Sequence, residues 1–191
     1  MKDLPYMSGH TQLLLCELQG RLFESTVEMG FGSLEFVDAF MRSRCAANLD
    51  MKFNRLQWLG EAYLLEEFID EAGDKLVPGK QYSGDALFWT GWIYRYWHFL
   101  TGESSKEISK QAPAKRMMRA YPFYHTVSNK MAVEDLKLSA QGKVYVPEGI
   151  TIEKKKAKVT KGTMMVDQTP AMKLRRVPAR KEMTERRGKD A

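Results

Sequence analysis

Residues Ser83 to Ile108 read SGDALFWTGWIYRYWHFLTGESSKEI, and three of the chain's four tryptophans (Trp89, Trp92, Trp97) lie within them. Phe88, Phe99, Tyr94 and Tyr96 fill the spaces between. Ser83 is suited to cap a helix, and Asp85 in the first turn complements the positive end of the helix dipole. From Ala86 to Leu100 the only formal charge is Arg95. At helical spacing, Phe88, Trp92, Arg95 and Phe99 make one stripe, Leu87, Gly91, Tyr94 and His98 a second, and Trp89, Ile93, Tyr96 or Trp97, and Leu100 a third. A helix apolar nearly all round belongs in a core or a membrane. A span needs roughly 18 or more apolar residues; this run is shorter and contains an arginine, so a core helix is expected. Gly91 costs about 1 kcal/mol against alanine in mid-helix, which predicts close approach of a second helix there. Gly102 ends the run, and Ser104 with Glu107 forms a capping-box pattern that opens the next helix.

The rest of the chain divides by composition. Residues 1–138 hold 16 Lys+Arg against 18 Asp+Glu, whereas residues 139–191 hold 14 against 6. All four tryptophans, all nine phenylalanines and seven of the eight tyrosines precede residue 139. The first part can therefore build a core, while the second has the low hydrophobicity and high charge of a segment that is disordered or folds on a partner. The expected fold is all-α: a flexible leader (1–9), a compact multi-helix domain around the buried aromatic helix (10–138), a small β-hairpin (139–153) and a disordered cationic tail (154–191).

Within the domain, the periodicity predicts a helix from His10 or Thr11 to Met29, a second from Leu34 to Arg44 and a third from Asn54 to Ala72. Gly30 reads as a C-cap glycine and Ser33 as the next N-cap. Ala46 to Phe53 is expected to be a connection. In the third helix Leu56, Trp58, Leu59, Tyr63, Leu64, Phe68 and Ile69 are expected to face inward, and Glu66, Glu67, Asp70 and Glu71 outward. Short helices follow at 105–111 and 113–119, the latter broken by Pro122. A last helix begins after Ser128 and buries Met131 and residues 133–136. The alternation of Val144, Val146, Ile150 and Ile152 about Pro147 and Gly149 suggests the hairpin.

Several chemistries lack their signatures. The three histidines are far apart, there is no CxxC or HExxH, and no GxSxG. Gly73 to Gln81 has one residue too many for a phosphate loop and lacks its Ser/Thr. No metal site, cofactor or catalytic set is therefore expected. Cys16 and Cys45 read as reduced thiols of a cytoplasmic protein, and neither a signal peptide nor a membrane segment is expected.

Arg95 and His98 are three apart on one side of a buried helix and hence neighbours. A buried guanidinium is costly unless paired, and Glu61 is the expected partner. One reading is a satisfied core ion pair with His98 beside it. Another is a pocket in which Trp92, Tyr94, Arg95 and His98, with Glu61, grip an anionic or aromatic group, and a third gives His98 a catalytic role. The tail's basic residues, among them Lys154, Lys155, Lys156, Lys158, Arg175 and Arg176, admit three readings: a solvated extension, an arm for an acidic protein partner, or non-specific contact with nucleic acid. Tyr145 alone could stack on a base, which argues against sequence-specific single-strand binding.

Leu13-Leu14-Leu15 with Glu17, Gln57-Trp58-Leu59-Gly60-Glu61, Trp89-Thr90-Gly91-Trp92, Tyr94 to His98 and Thr101 to Ile108 together resemble a family of small uncharacterised bacterial helical proteins associated with toxin–antitoxin-like operons. The resemblance covers about residues 10–138. It implies an interaction or regulatory role, antitoxin-like with a protein partner, and transfers no catalytic residue.

Overall fold

Ser83 caps the aromatic helix as the sequence requires: in a computed structural model, which describes residues 7–142, its Oγ accepts the Ala86 amide at 3.4 Å. The helix runs Gly84–Thr101 and stops at Gly102, whose φ of 77° is the left-handed C-cap conformation. Counted in chain order this is α6, and five helices precede it: α1 (Gly9–Glu24), α2 (Thr26–Met29), α3 (Ser33–Phe40), α4 (Arg44–Leu49) and α5 (Gly60–Ala72). Among the described residues three follow: α7 (Ser105–Gln111), α8 (Ala114–Tyr124) and α9 (Asn129–Ala140). No strand occurs among the described residues, so the all-α expectation holds there. The hairpin and the cationic tail lie outside the described residues.

Leu87, Ile93 and Trp97 of α6 are wholly buried; complete burial of an aliphatic side chain of this size contributes about 1.5–3 kcal/mol. The main partner of α6 is α1, running antiparallel to it. A Cβ added at Gly91 would lie 2.3 Å from the Gln19 carbonyl oxygen and 3.0 Å from the Gly20 Cα, so the two backbones nearly touch. That contact is why a glycine sits in mid-helix. A second centre of packing joins α1, α3 and α5 through edge-to-face phenylalanines. Phe23–Phe40, Phe36–Phe68 and Phe40–Phe68 stand 5.3, 5.1 and 5.2 Å apart between ring centroids, pairs worth about 0.5–1.5 kcal/mol each beyond burial.

Several boundaries differ from the sequence reading. The first expected helix is divided at Ser25, whose Oγ donates to the Leu22 carbonyl. Met7 is buried and Ser8 caps α1, so the described end of the expected leader is part of the domain. Gly30 has the left-handed cap conformation, but Gly32 occupies the N-cap of α3, and Ser33 instead accepts the Tyr82 amide. The second helix ends at Phe40, and half of the expected connection is α4, capped by Ser43. In place of a continuous third helix, Asn54 and Gln57 form a capping box around a 3-10 turn, Arg55–Trp58. Gly60, at φ 82°, then redirects the chain into α5. The redirection leaves Trp58 67% and Leu59 44% exposed, against the expectation that both face the core. Met131 is exposed too, and α9 packs through Ala132, Val133 and Leu136. Finally, α8 continues through Pro122. A proline that close to the end forfeits one backbone hydrogen bond without a following turn to disrupt.

Candidate functional site

Arg95 has no solvent-exposed surface, and each nitrogen of its guanidinium meets an acceptor. Nε donates to Gln19 Oε1 at 2.9 Å, Nη1 to Asp50 Oδ1 at 2.7 Å and Nη2 to Ser105 Oγ at 3.2 Å. Asp50 is the C-cap of α4, and Ser105 opens α7. The Asp50 carboxylate also accepts the Ser105 amide at 2.7 Å and the Ser105 hydroxyl at 2.8 Å. Four helices are thereby tied at one point: α1 by Gln19, the end of α4 by Asp50, α6 by Arg95 and α7 by Ser105. The pair is correctly Arg95–Asp50, not Arg95–Glu61. Glu61 is exposed at the start of α5, beside Arg21 and Glu24.

His98 lies at the edge of this network. Its Nδ1 is 2.8 Å from the Glu103 carbonyl oxygen and 3.6 Å from Asp50 Oδ1. A carbonyl only accepts, so Nδ1 carries the proton in the neutral ring, and Asp50 is a nearby charge rather than a hydrogen-bond partner. Burial, followed by the Arg95 charge, pushes the His98 pKa below its usual value, against the opposing pull of Asp50 and the Glu103 carbonyl. In the unfolded chain His98 titrates near 6.5. The unfolded state therefore takes up protons first as pH falls, and the stability held by neutral His98 is present above about 6.5 and lost below it. Glu71 and Glu103 have lowered pKa values, so the stability they hold begins to fall only as pH drops to their unfolded value of about 4.3. Urea titrations between pH 7.5 and 5 are accordingly expected to show falling stability in the wild type and a flatter profile in His98→Gln. Parallel profiles would refute the assignment.

The other members of the expected pocket face elsewhere. Tyr94 is buried and donates to the Ala112 carbonyl at 2.5 Å. Trp92 is half-buried, tilted against Phe88 at 6.0 Å. Arg95 and His98 thus come together with Asp50, while Glu61, Trp92 and Tyr94 do not join them. Cys16, near Arg95, is a buried thiol that burial pushes up to about 12, the Arg95 charge only partly opposing it; it stays protonated and unreactive. Lys154, Lys155, Lys156, Lys158, Arg175 and Arg176 lie outside the described residues.

The outer face of α5 is only partly a solvated one. Glu71 takes the backbone amides of Arg44 and Cys45 at 2.7 and 3.2 Å. Burial alone would raise its pKa, but these amides and the nearby Arg44 hold it below the usual carboxylate range. Glu67 accepts the Tyr63 hydroxyl at 2.6 Å.

A feature that periodicity did not reveal runs along the outside of α1, α2 and the start of α5. Leu14, Leu18, Arg21, Ser25 and Glu28 recur at intervals of four and three, one stripe of a helix surface. At its α1 end Leu14, Leu15 and Leu18 face Trp58 and Gly60 across a hollow of about 210 Å³. Farther along, Arg21, Glu24, Glu28 and Glu61 border a second hollow of about 410 Å³. The capping box at Asn54 and Gln57, with Gly60 after Leu59, is the sequence signal that could have exposed Trp58 in advance. Among the described residues, no helix is long and apolar enough to cross a membrane. The chain matches no protein-family model, no curated protein and no solved structure.

Proposed function

We propose that the chain is a non-enzymatic protein-binding or regulatory module, of which an antitoxin-like component of a bacterial toxin–antitoxin-type system is the specific form suggested by the sequence resemblance. The observation carrying this reading is Trp58, 67% exposed beside Leu14 and Leu59, which are 48% and 44% exposed. Tryptophan is enriched among the residues that dominate protein interfaces, and an exposed apolar cluster with a polar border marks an interaction surface. The Arg95 network adds support, because its groups are spent on one another and offer a substrate no open position. The test is capture of a partner by the full chain, its identification, and reconstitution of the complex from purified components. A stoichiometric complex lost with Trp58→Ala is the expected result; a monomer that retains no partner would sink the reading.

The charge excess of residues 139–191, 14 Lys+Arg against 6 Asp+Glu, supports a second reading in which the basic arm contacts nucleic acid. That contact would weaken steeply with salt and vanish on truncation after Gly142.

A further inference from the structure

We infer that the seam between α1 and the start of α5 receives a basic amphipathic segment of a partner protein, an aliphatic side chain entering beside Trp58 and its lysines or arginines meeting the carboxylates. The inference rests on the module reading above and names the chemistry of the partner.

The two hollows lie in sequence along one helix stripe, and Gly60 and Glu61 place them side by side on α5. The first, at about 210 Å³, is smaller than the roughly 300–1,000 Å³ of small-molecule pockets. It suits one anchoring side chain of a larger ligand. The indole N–H of Trp58 has no acceptor among the described residues, so a polar group of the incoming segment can take it.

Charge then selects the partner. Among the described residues Arg21 is the one cation bordering the second hollow, and its Nε and Nη2 both go to Glu17 Oε1, at 3.0 and 2.6 Å. Glu24, Glu28 and Glu61 hold no hydrogen bond or ion pair among the described residues. Three carboxylates are thus left facing solvent beside an apolar anchor site. Interfaces put opposite potentials together, and like charges set against one another suppress wrong partners. Nucleic acid and anionic lipid are disfavoured on that ground. A two-fold contact with a second copy is disfavoured as well, since it would bring the same acidic patch to both sides.

The test uses the full chain and a fluorescein-labelled, tryptophan-free helical peptide of about 18 residues (five helical turns). The peptide has leucine at i, i+3, i+4 spacing and Lys or Arg elsewhere; its twin carries Glu at every basic position. Anisotropy should show saturable binding of the basic peptide and none of the twin, with the protein's tryptophan emission shifting to the blue as Trp58 is covered. Trp58→Ala, and separately the Glu24→Gln/Glu61→Gln pair, should each weaken binding about tenfold or more without changing the melting curve, all three side chains being exposed. Equal binding of both peptides, or unchanged binding by Trp58→Ala, would overturn the inference. So would a blue shift that follows protein concentration alone, which would mark self-association, or one produced by anionic vesicles. If a reconstituted partner needs Trp58 while the basic peptide does not bind, the charge assignment fails and the module reading stands. If no partner needs Trp58 and no peptide binds, both fail.

Discussion

Asp50→Asn should be the most damaging single-atom-scale change in this protein, costing about 3–5 kcal/mol of stability, the usual penalty for stranding one member of a buried ion pair. The substitution keeps the shape of the side chain and removes the charge that faces Arg95 Nη1 at 2.7 Å. The guanidinium has no exposed surface, so water cannot replace the lost carboxylate. Gln19 and Ser105 remain as acceptors, but both are neutral. The new amide also brings a donor either to the oxygen position that accepts the Ser105 amide or to the one that accepts the Ser105 hydroxyl and Arg95 Nη1. For a domain of this size the melting temperature should fall by on the order of 10 °C or more.

The companion variant makes the prediction specific. Replacing an intact buried pair by apolar groups is often close to neutral, because the desolvation cost disappears with the charges. Adding Arg95→Met to Asp50→Asn should therefore restore part of the loss, and the double variant should be more stable than Asp50→Asn alone. Urea unfolding of wild type, both single variants and the double variant gives the coupling directly. A loss below about 1 kcal/mol for Asp50→Asn would put the pair in the class of solvent-screened surface bridges and would refute a sealed network.

How much of this was legible in the sequence depends on the range of each interaction. The ends of α6, the capping box at Ser104 and Glu107, and the need for a close neighbour at Gly91 are local features, and all occur where the pattern put them. That Arg95 requires a buried partner also follows from its neighbours alone. The identity of the partner does not. Asp50 ends a six-residue helix inside what reads as a connection, 45 positions away along the chain, and no periodicity points from it to α6. Glu61 is the partner that one straight helix over residues 54–72 would present. The positive φ of Gly60 breaks that line, and the same break turns Trp58 out of the core. The 3-10 turn at Arg55–Trp58 and the positive φ of Gly60 together interrupt the straight helix on which both expectations depend. The outer stripe of α1 is hard to read from sequence for a related reason: the inward-facing pattern of the helix is strong enough to hide it.

Gly91→Ala offers a test in which two effects of known sign oppose each other. Alanine is favoured over glycine within a helix by about 1 kcal/mol, so on propensity alone the substitution should stabilise α6. The added Cβ, however, would sit 2.3 Å from the Gln19 carbonyl oxygen and 2.8 Å from its carbon. Both are backbone atoms of a helix, and no side-chain rotation can relieve the clash. The helices α1 and α6 would have to separate, and overpacking of this kind costs about 1–3 kcal/mol, occasionally more. Separation also lengthens the hydrogen bond from Arg95 Nε to Gln19 Oε1, one turn farther along the same interface. The penalty should therefore lie at the upper end of that range or above it, outweigh the propensity gain and leave a net loss of about 2 kcal/mol or more. Gly91→Val, larger and β-branched, should yield little folded protein. Thermal melts of Gly91→Ala beside wild type decide the matter. A rise in melting temperature would mean that propensity dominates and that the two backbones are not in contact, which would remove the physical reason for a glycine at the centre of the aromatic helix.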